Sequence, residues 1–134
     1  MNGKPLDWQK VNRMIVGLGF DVADVTRYAF DQRQLEWFSR KVYTDEEVGY
    51  AMRKRNRAER FAGFFAAKEA ARKAFGHAIP WRQLGVSHEP SGKPILRLLG
   101  AAQTLAKSRG VTAIHLTITH TAALAAAIVI LEKT

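Results

Sequence analysis

The chain has 134 residues, and its 21 lysines and arginines outnumber its 12 aspartates and glutamates, so the formal net charge is +9 at pH 7. Hydrophobic residues make up 47% of the chain, enough for the core of one domain, which excludes intrinsic disorder. The absence of cysteine excludes disulfides, thiolate metal sites and a cysteine nucleophile. The positive charge indicates an anionic partner.

The sequence predicts a single domain, 1–134, without a membrane span. The longest nearly apolar stretch, residues 122–131, is about half of the roughly 20 residues that a spanning helix needs. The first ten residues carry charge but no apolar segment before a small-residue cleavage site, so we predict no secretory signal and expect the cytoplasm as compartment. Residues 1–13 are expected to be an N-terminal extension of a module at 14–134.

Apolar periodicity and turn signals along the chain predict an α+β fold. In chain order they predict a strand at 14–22, short helices at 23–29 and 34–41, a helix from 44 to about 55, a long helix at 58–75, a loop after 80, a turn at 91–94, a strand at 95–98, a short helix at 100–109 and a hairpin of strands at 113–119 and 125–132. The alanine-rich last segment also allows a helix.

Glycines and capping residues mark several of these elements. Gly17 and Gly19 allow another backbone to approach the first strand closely. Thr44 followed by Glu47 is the pattern of a capping box at a helix start. Gly76 is expected to end the long helix.

Three charged residues in apolar surroundings are candidates for chemistry. Asp21 ends the first strand, where its carboxylate faces a cleft or caps the next helix. Glu69 and Lys73 are four residues apart, on one face of the long helix, and form either a surface ion pair or part of a site. Because burying an unpartnered carboxylate is costly, a metal ion or bound phosphate near Glu69 would explain its position.

Further polar residues have both structural and functional interpretations. His120, between two threonines, is either a hydrogen-bonded structural residue or a phosphate ligand. Lys93 in the 91–94 turn is ordinarily solvated. The basic residues at 53–60 form either a solvated helix end or a contact for phosphate or an acidic protein. The sequence contains no Walker or dinucleotide-binding glycine pattern and no Gly-x-Ser-x-Gly segment.

The order of these segments resembles the holo-acyl-carrier-protein synthase family of 4′-phosphopantetheinyl transferases. The resemblance covers about residues 15–132 and rests on the segments GLGFDVADVTR, FSRKVYTDEE, FAGFFAAKEAARKAFG, SGKPILRL and HLTITHT. FAAKEAARKA is its most specific part, and Thr117 and Thr119 replace the serines usual on the late strand. The resemblance implies a long central helix packed on a mostly antiparallel sheet.

The activity that the resemblance implies is transfer of 4′-phosphopantetheine from coenzyme A to a serine of an apo acyl carrier protein, with release of adenosine 3′,5′-bisphosphate. Asp21 and Glu69 correspond to the family's two Mg²⁺ ligands, and such oxygen ligands suit this hard cation. Glu69 would accept the serine proton, directly or through a metal-bound water. Lys73 would reach the pyrophosphate.

The resemblance also implies binding partners for other residues. His120 and Thr121 would contact nucleotide phosphate, with Lys93 as a companion. The acidic carrier would dock on the basic residues Arg27, Arg53, Arg57 and Arg60. Members of this family typically form homotrimers with the site between subunits. The resemblance leaves open whether the carrier serves fatty-acid, polyketide or another pathway.

Two residues depart from the family pattern. Phe64 stands where the family usually has an arginine, and Arg60, one turn earlier, is a candidate substitute. Phe20 replaces a small or β-branched residue before Asp21. An alternative hypothesis is therefore a non-catalytic homologue that binds an acidic carrier domain or another anion. Nucleic acid is not expected as a partner, because basic residues are spread over several segments without interleaved aromatic residues.

Overall fold

A computed structural model describes residue 3 and residues 12–134. Most of the predicted extension, residues 1–13, therefore lies outside the described residues. The strands are β1 (Met14–Asp24), β2 (Leu84–His88), β3 (Pro94–Leu98), β4 (Ala113–His120) and β5 (Leu124–Lys133), and the helices are α1 (Gln32–Lys41), α2 (Asp45–Met52), α3 (Arg57–Phe75) and α4 (Ala101–Ser108). Short 3-10 turns occupy Val25–Tyr28 and Trp81–Gln83.

The strands form two antiparallel sheets. One has the order β1-β5-β4, and β2 pairs with β3 in a separate hairpin. The long helix α3 packs against β1 and β5 on one side and against α2 and β2 on the other, so the predicted α+β fold with a central helix is confirmed. The last segment is a strand, and its alternative as a helix is wrong. None of the helices in the described part of the chain is long and apolar enough to span a membrane.

Local capping signals explain three of the helix boundaries. Thr44 and Glu47 form the predicted capping box at the start of α2, and Gly76 ends α3 with a φ of 60°. A second capping box, between Asp31 and Gln34, starts α1 two residues earlier than the helical spacing predicts. Residues 84–88 form β2 rather than the predicted loop, because this short segment pairs with β3 and is buried.

Backbone approaches backbone directly where β1 crosses α3. Gly17 and Gly19 lie on the face of β1 toward α3, where a Cβ on Gly19 would overlap the carbonyl oxygen of Ala70 and one on Gly17 that of Ala74. The glycines face two alanines four residues apart, so both elements present their smallest side chains at the contact. The strand and the helix therefore lie closer together than larger residues would permit.

Replacing Gly19 should separate β1 from α3. We expect Gly19→Ala to lower the free energy of unfolding by about 1–3 kcal/mol, the usual cost of overpacking. Gly49→Ala is the matched control, because Gly49 lies in α2 with only ordinary contact distances around it and alanine is favoured over glycine in a helix by about 0.5–1 kcal/mol. Urea unfolding should show opposite signs for the two variants; equal effects would contradict the close contact.

A buried ion pair connects α3 to the elements on its other side. Glu47 and Lys68 both have fully buried side chains, and Nζ of Lys68 lies 2.8 Å from Oε1 of Glu47. Nζ also donates to the backbone oxygens of Trp81 and Leu84 over 3.1 and 2.5 Å. All three donors of the ammonium group therefore have an acceptor.

The Glu47 carboxylate is equally well satisfied. It accepts hydrogen bonds from the backbone N–H groups of Thr44, over 2.9 Å, and Val86, over 2.7 Å. Burial lowers the pKa of Lys68, while the adjacent carboxylate acts in the opposite direction. The Glu47–Lys68 pair therefore connects α2, α3 and β2 in the solvent-inaccessible interior.

Removing one member of this pair should be costly. We expect Lys68→Met to destabilise the fold by about 3–5 kcal/mol, because it leaves the Glu47 carboxylate buried and unpaired. Lys107→Met on exposed α4 is the control and should change stability by less than about 0.5 kcal/mol. Chemical denaturation measures both. A loss below about 1 kcal/mol for Lys68→Met would mean that the carboxylate finds another partner.

Candidate functional site

Asp21 lies on the face of β1 that packs against α3. Side chains alternate along a strand, so Asp21 shares this face with Gly17 and Gly19, and its side chain is 19% exposed. Asp24, not Asp21, caps the following 3-10 turn by accepting the N–H of Thr26. The capping alternative for Asp21 is therefore wrong, and its carboxylate faces the helix.

Lys73 binds Asp21 across the strand–helix contact. Its Nζ donates to Oδ1 of Asp21 over 2.9 Å and to the backbone oxygen of Phe20 over 3.0 Å. Its hydrogen bond to Asp21 and the carboxylate charge raise the pKa of Lys73, so it is a cation at neutral pH. Among the described residues no ion pair joins Lys73 to Glu69, and the surface-pair alternative for these two residues is wrong.

The charges of Asp21 and Glu69 both reach Tyr28. Burial, followed by the charges of Asp21 and Glu69, raises the pKa of Tyr28 to about 12. The charges of Asp21, on β1, and of Glu69, on α3, therefore both raise the pKa of the Tyr28 hydroxyl. Sequence reasoning did not single out Tyr28, because its relation to Glu69 arises only from the fold.

This donor set fits a hard divalent cation. Asp21 and Glu69 supply carboxylate oxygens, and Mg²⁺ commonly uses one or two protein carboxylates with water and substrate phosphate as its remaining ligands. Within residues 12–134 no group of three or more histidine, aspartate or glutamate side chains is positioned to hold a metal. A site of this kind would therefore be completed by ligands from outside the chain.

His120 lies in a second region, where β4 ends beside the start of α3. Its Nδ1 is 3.0 Å from Oε1 of Glu59, and both side chains are about one-quarter exposed. They line a cavity of about 90 Å³ together with Arg60 and Phe64. The predicted phosphate ligand thus has a carboxylate partner that sequence reasoning missed, 61 positions away in the chain.

Two other predicted phosphate ligands do not line this cavity themselves. The Thr121 hydroxyl accepts hydrogen bonds from the N–H groups of Ala123 and Leu124 and so helps to form the β4–β5 turn. Lys93 is exposed at the β2–β3 turn and lines a different cavity, against β4 and β5. Gly92 and Pro94, on either side of Lys93, line the cavity beside His120, so the turn that carries Lys93 borders both cavities.

The basic residues predicted to dock a carrier differ in exposure. Arg27, Arg53 and Arg57 are exposed, whereas Arg60 is half-buried and its Nε donates to Oδ1 of Asn56 over 3.2 Å. Arg57 also lines a groove of about 530 Å³ that Tyr28 borders. The groove therefore extends from the basic run to Tyr28.

Comparison with known proteins supports one family. The family model for the 4′-phosphopantetheinyl transferase superfamily matches residues 17–129. A holo-[acyl-carrier-protein] synthase of Solibacter usitatus is 46% identical, with 90% of this chain and 100% of that protein aligned. The synthase of Anaeromyxobacter sp. strain K is 43% identical over 90% of this chain and 98% of its own length.

Solved structures show the same fold. A holo-[acyl-carrier-protein] synthase of Neisseria meningitidis matches with a TM-score of 0.80 and 27% identity, covering 90% of this chain and 100% of that one. The Bacillus anthracis synthase in complex with coenzyme A (3′,5′-ADP) matches with a TM-score of 0.72 and 31% identity, covering 90% and 99%. Sequence family and fold agree over nearly the whole described chain, which belongs to the 4′-phosphopantetheinyl transferase superfamily.

Proposed function

We propose that this protein is a holo-[acyl-carrier-protein] synthase, which transfers 4′-phosphopantetheine from coenzyme A to a serine of an apo acyl carrier protein. The observation that carries the proposal is the convergence of Asp21, Glu69 and Lys73 at the β1–α3 contact. Two carboxylates and a lysine at one place suit a reaction in which negative charge moves between phosphate oxygens. The proposed compartment is the cytoplasm.

The reaction exchanges one phosphorus–oxygen bond for another. The serine oxygen bonds to the β-phosphorus of coenzyme A, and the bond from that phosphorus to the bridging oxygen breaks. Adenosine 3′,5′-bisphosphate leaves with the electron pair, and Glu69 accepts the serine proton, directly or through water. Lys73 binds the pyrophosphate with its remaining donor and balances the charge on the leaving group.

We propose that Asp21 and Glu69 hold Mg²⁺, which when bound would neutralise the pyrophosphate of the donor. Lys73 now donates to Asp21, so its ammonium group lies close to where that phosphate would bind. His120 and Thr121, with Lys93, are proposed to contact the nucleotide phosphate. Gly92 and Pro94, the neighbours of Lys93, line the cavity of His120, which supports a shared phosphate contact.

The carrier is proposed to dock along the basic side of the groove. Arg27, Arg53 and Arg57 are exposed, and Arg60 follows one turn after Arg57 on α3. An acidic carrier would be attracted by this concentration of positive charge. The groove, which Arg55 and Arg57 line, then offers a path from the docking residues toward Tyr28.

Mass spectrometry of an apo carrier protein tests the activity. After incubation with this protein, coenzyme A and Mg²⁺, the carrier should gain the mass of one phosphopantetheine group. The gain should disappear with a chelator and fall at least about 100-fold in Asp21→Asn and Glu69→Gln, because each loses a charged oxygen ligand. Lys73→Met should reduce turnover while changing stability by less than about 1 kcal/mol, since the Lys73 side chain is 53% exposed.

Glu36→Gln, on the exposed surface of α1, is the matched control and should keep full activity. A folded protein that binds the carrier but transfers nothing would overturn the proposed activity and leave the non-catalytic alternative. Transfer that persists in the presence of chelator would overturn the metal site while preserving the assigned reaction.

We also propose that the protein assembles as a homotrimer. The face of the β1-β5-β4 sheet opposite α3 carries large exposed apolar side chains, including Leu18, 63% exposed, and Phe20, 54% exposed. Val16, Val22 and Ile128 extend this patch. A continuous apolar sheet face of this kind is typical of a surface that another subunit covers.

Light scattering during size-exclusion chromatography tests the assembly. The unsubstituted protein should have the mass of three chains, and Leu18→Lys should shift it toward monomer by placing a charge in the apolar patch. Leu99→Lys is the control, because Leu99 is also exposed but lies between β3 and α4. A monomer at micromolar concentration would contradict the proposal.

A further inference from the structure

Glu59 and His120 form a pair at the border of the small cavity beside the start of α3. Glu59 lies in the first turn of α3, and His120 is the last residue of β4. Oε1 of Glu59 lies 3.0 Å from Nδ1 of His120, and the two side chains are 22% and 25% exposed. Both line the cavity of about 90 Å³, so a contact between distant segments borders a space that a ligand group can enter.

Glu59 pairs with a histidine although arginines lie close to it in the chain. Arg57 and Arg60 are its neighbours on α3, yet among the described residues the Glu59 carboxylate forms an ion pair with His120 alone. An acidic residue in the first turn of a helix also interacts favourably with the helix dipole, but that interaction does not require a histidine. The 3.0 Å contact therefore indicates a role that involves the imidazole.

The contact determines which ring nitrogen of His120 remains for a ligand. A carboxylate only accepts hydrogen bonds, so Nδ1 carries the proton that is shared with Glu59. Nε2, on the other side of the ring, has no hydrogen-bond partner within the described part of the chain. A bound anion and the Glu59 carboxylate, on either side of the ring, would both favour the imidazolium. His120 can then donate from Nε2 while Nδ1 stays bound to Glu59.

A second histidine of the cavity lacks such a partner. His88 stacks flat on Tyr50 at 3.8 Å, and burial, followed by the charge of Arg60, lowers its pKa. It is therefore neutral at neutral pH, and the apolar ring of Phe64 lies 5.8 Å from it in the same cavity wall. Arg60 and His120 are thus the residues of this cavity suited to an anion, and within residues 12–134 only His120 of these two has a carboxylate partner.

We propose that Glu59 is a positioning residue, which holds Nδ1 of His120 so that Nε2 donates a hydrogen bond to a phosphate oxygen of the bound nucleotide. This inference rests on the proposed function and adds to it a residue that acts through the histidine. The cavity of about 90 Å³ has the volume of about three water molecules, which suits a single phosphate group. Arg60, which lines the same cavity, offsets the negative charge that Glu59 places near the anion.

A double-mutant cycle on nucleotide affinity tests this role. The probe is adenosine 3′,5′-bisphosphate, titrated by calorimetry with Mg²⁺ present and without a carrier, so that no transfer occurs. We expect Glu59→Ala to raise its Kd about tenfold and Glu59→Gln about threefold, because glutamine keeps an acceptor oxygen for Nδ1 but loses the charge. In a His120→Ala background Glu59→Ala should have no further effect, since a positioning residue acts through the group that it positions.

The imidazole of His120 gives a second readout, which a purely structural role of Glu59 would not change. At alkaline pH, where the ring is neutral, nitrogen NMR should find the proton on Nδ1 in the unsubstituted protein and mainly on Nε2 in Glu59→Ala. Glu36→Ala, on the exposed surface of α1, is the control and should change neither the Kd nor the His120 signals.

The possible outcomes separate this inference from the proposed function. An unchanged Kd in Glu59→Ala overturns the inference, and so does an equal loss with and without His120, because Glu59 would then act independently of the histidine. Absence of bisphosphate binding by the unsubstituted protein overturns it as well. Mass spectrometry of the carrier decides the transfer separately: if no carrier is modified, the proposed function is wrong, while the cycle still reports whether Glu59 acts through His120.

Discussion

The direct backbone contact between β1 and α3 determines the geometry of the site. Gly17 and Gly19 face Ala74 and Ala70 with no side chain between the two elements. Asp21 follows two residues after Gly19 on the same face of the strand, and Lys73 reaches it from the helix. Because strand and helix lie so close together, the charges of Asp21 on β1 and of Glu69 on α3 both act on the Tyr28 hydroxyl.

The opposite side of α3 is fixed by a different interaction. The Glu47–Lys68 pair connects the helix to the capping box of α2 and to the backbone of β2. Lys68 immediately precedes Glu69, and because adjacent helical residues point about 100° apart, one faces the buried ion pair and the other faces the site. The rotation of α3 about its axis is thereby constrained from both sides.

Much of the fold follows from local signals, but contacts between distant segments do not. The capping pattern at Thr44 and the glycine at position 76 predict helix ends correctly, because each signal acts within one turn. Glu47 also pairs with Lys68, and the capping pattern does not predict this pairing because it depends on tertiary contacts. Strand β2 was missed because five residues carry little periodicity and its partner begins six residues later.

The site likewise combines residues that the sequence indicates with contacts that only the fold creates. Asp21, Glu69 and Lys73 stand out as charged residues among apolar ones, and the family resemblance adds a role for each. Their actual pairing, Lys73 with Asp21 rather than with its helical neighbour, depends on how β1 crosses α3. Tyr28 and Glu59 carry no local signal, since a tyrosine in a turn and a glutamate in a first helical turn are ordinary residues.

The Asp21–Lys73 bond has a consequence for how the site receives its ligands. Two carboxylates alone would present two negative charges to an incoming polyanion, whereas the lysine reduces their sum to one. The ammonium group also gives Asp21 a charged partner in the folded chain, so this carboxylate is compensated without a bound ion. A cation that bound Asp21 would therefore share the carboxylate with Lys73 instead of meeting an isolated negative charge.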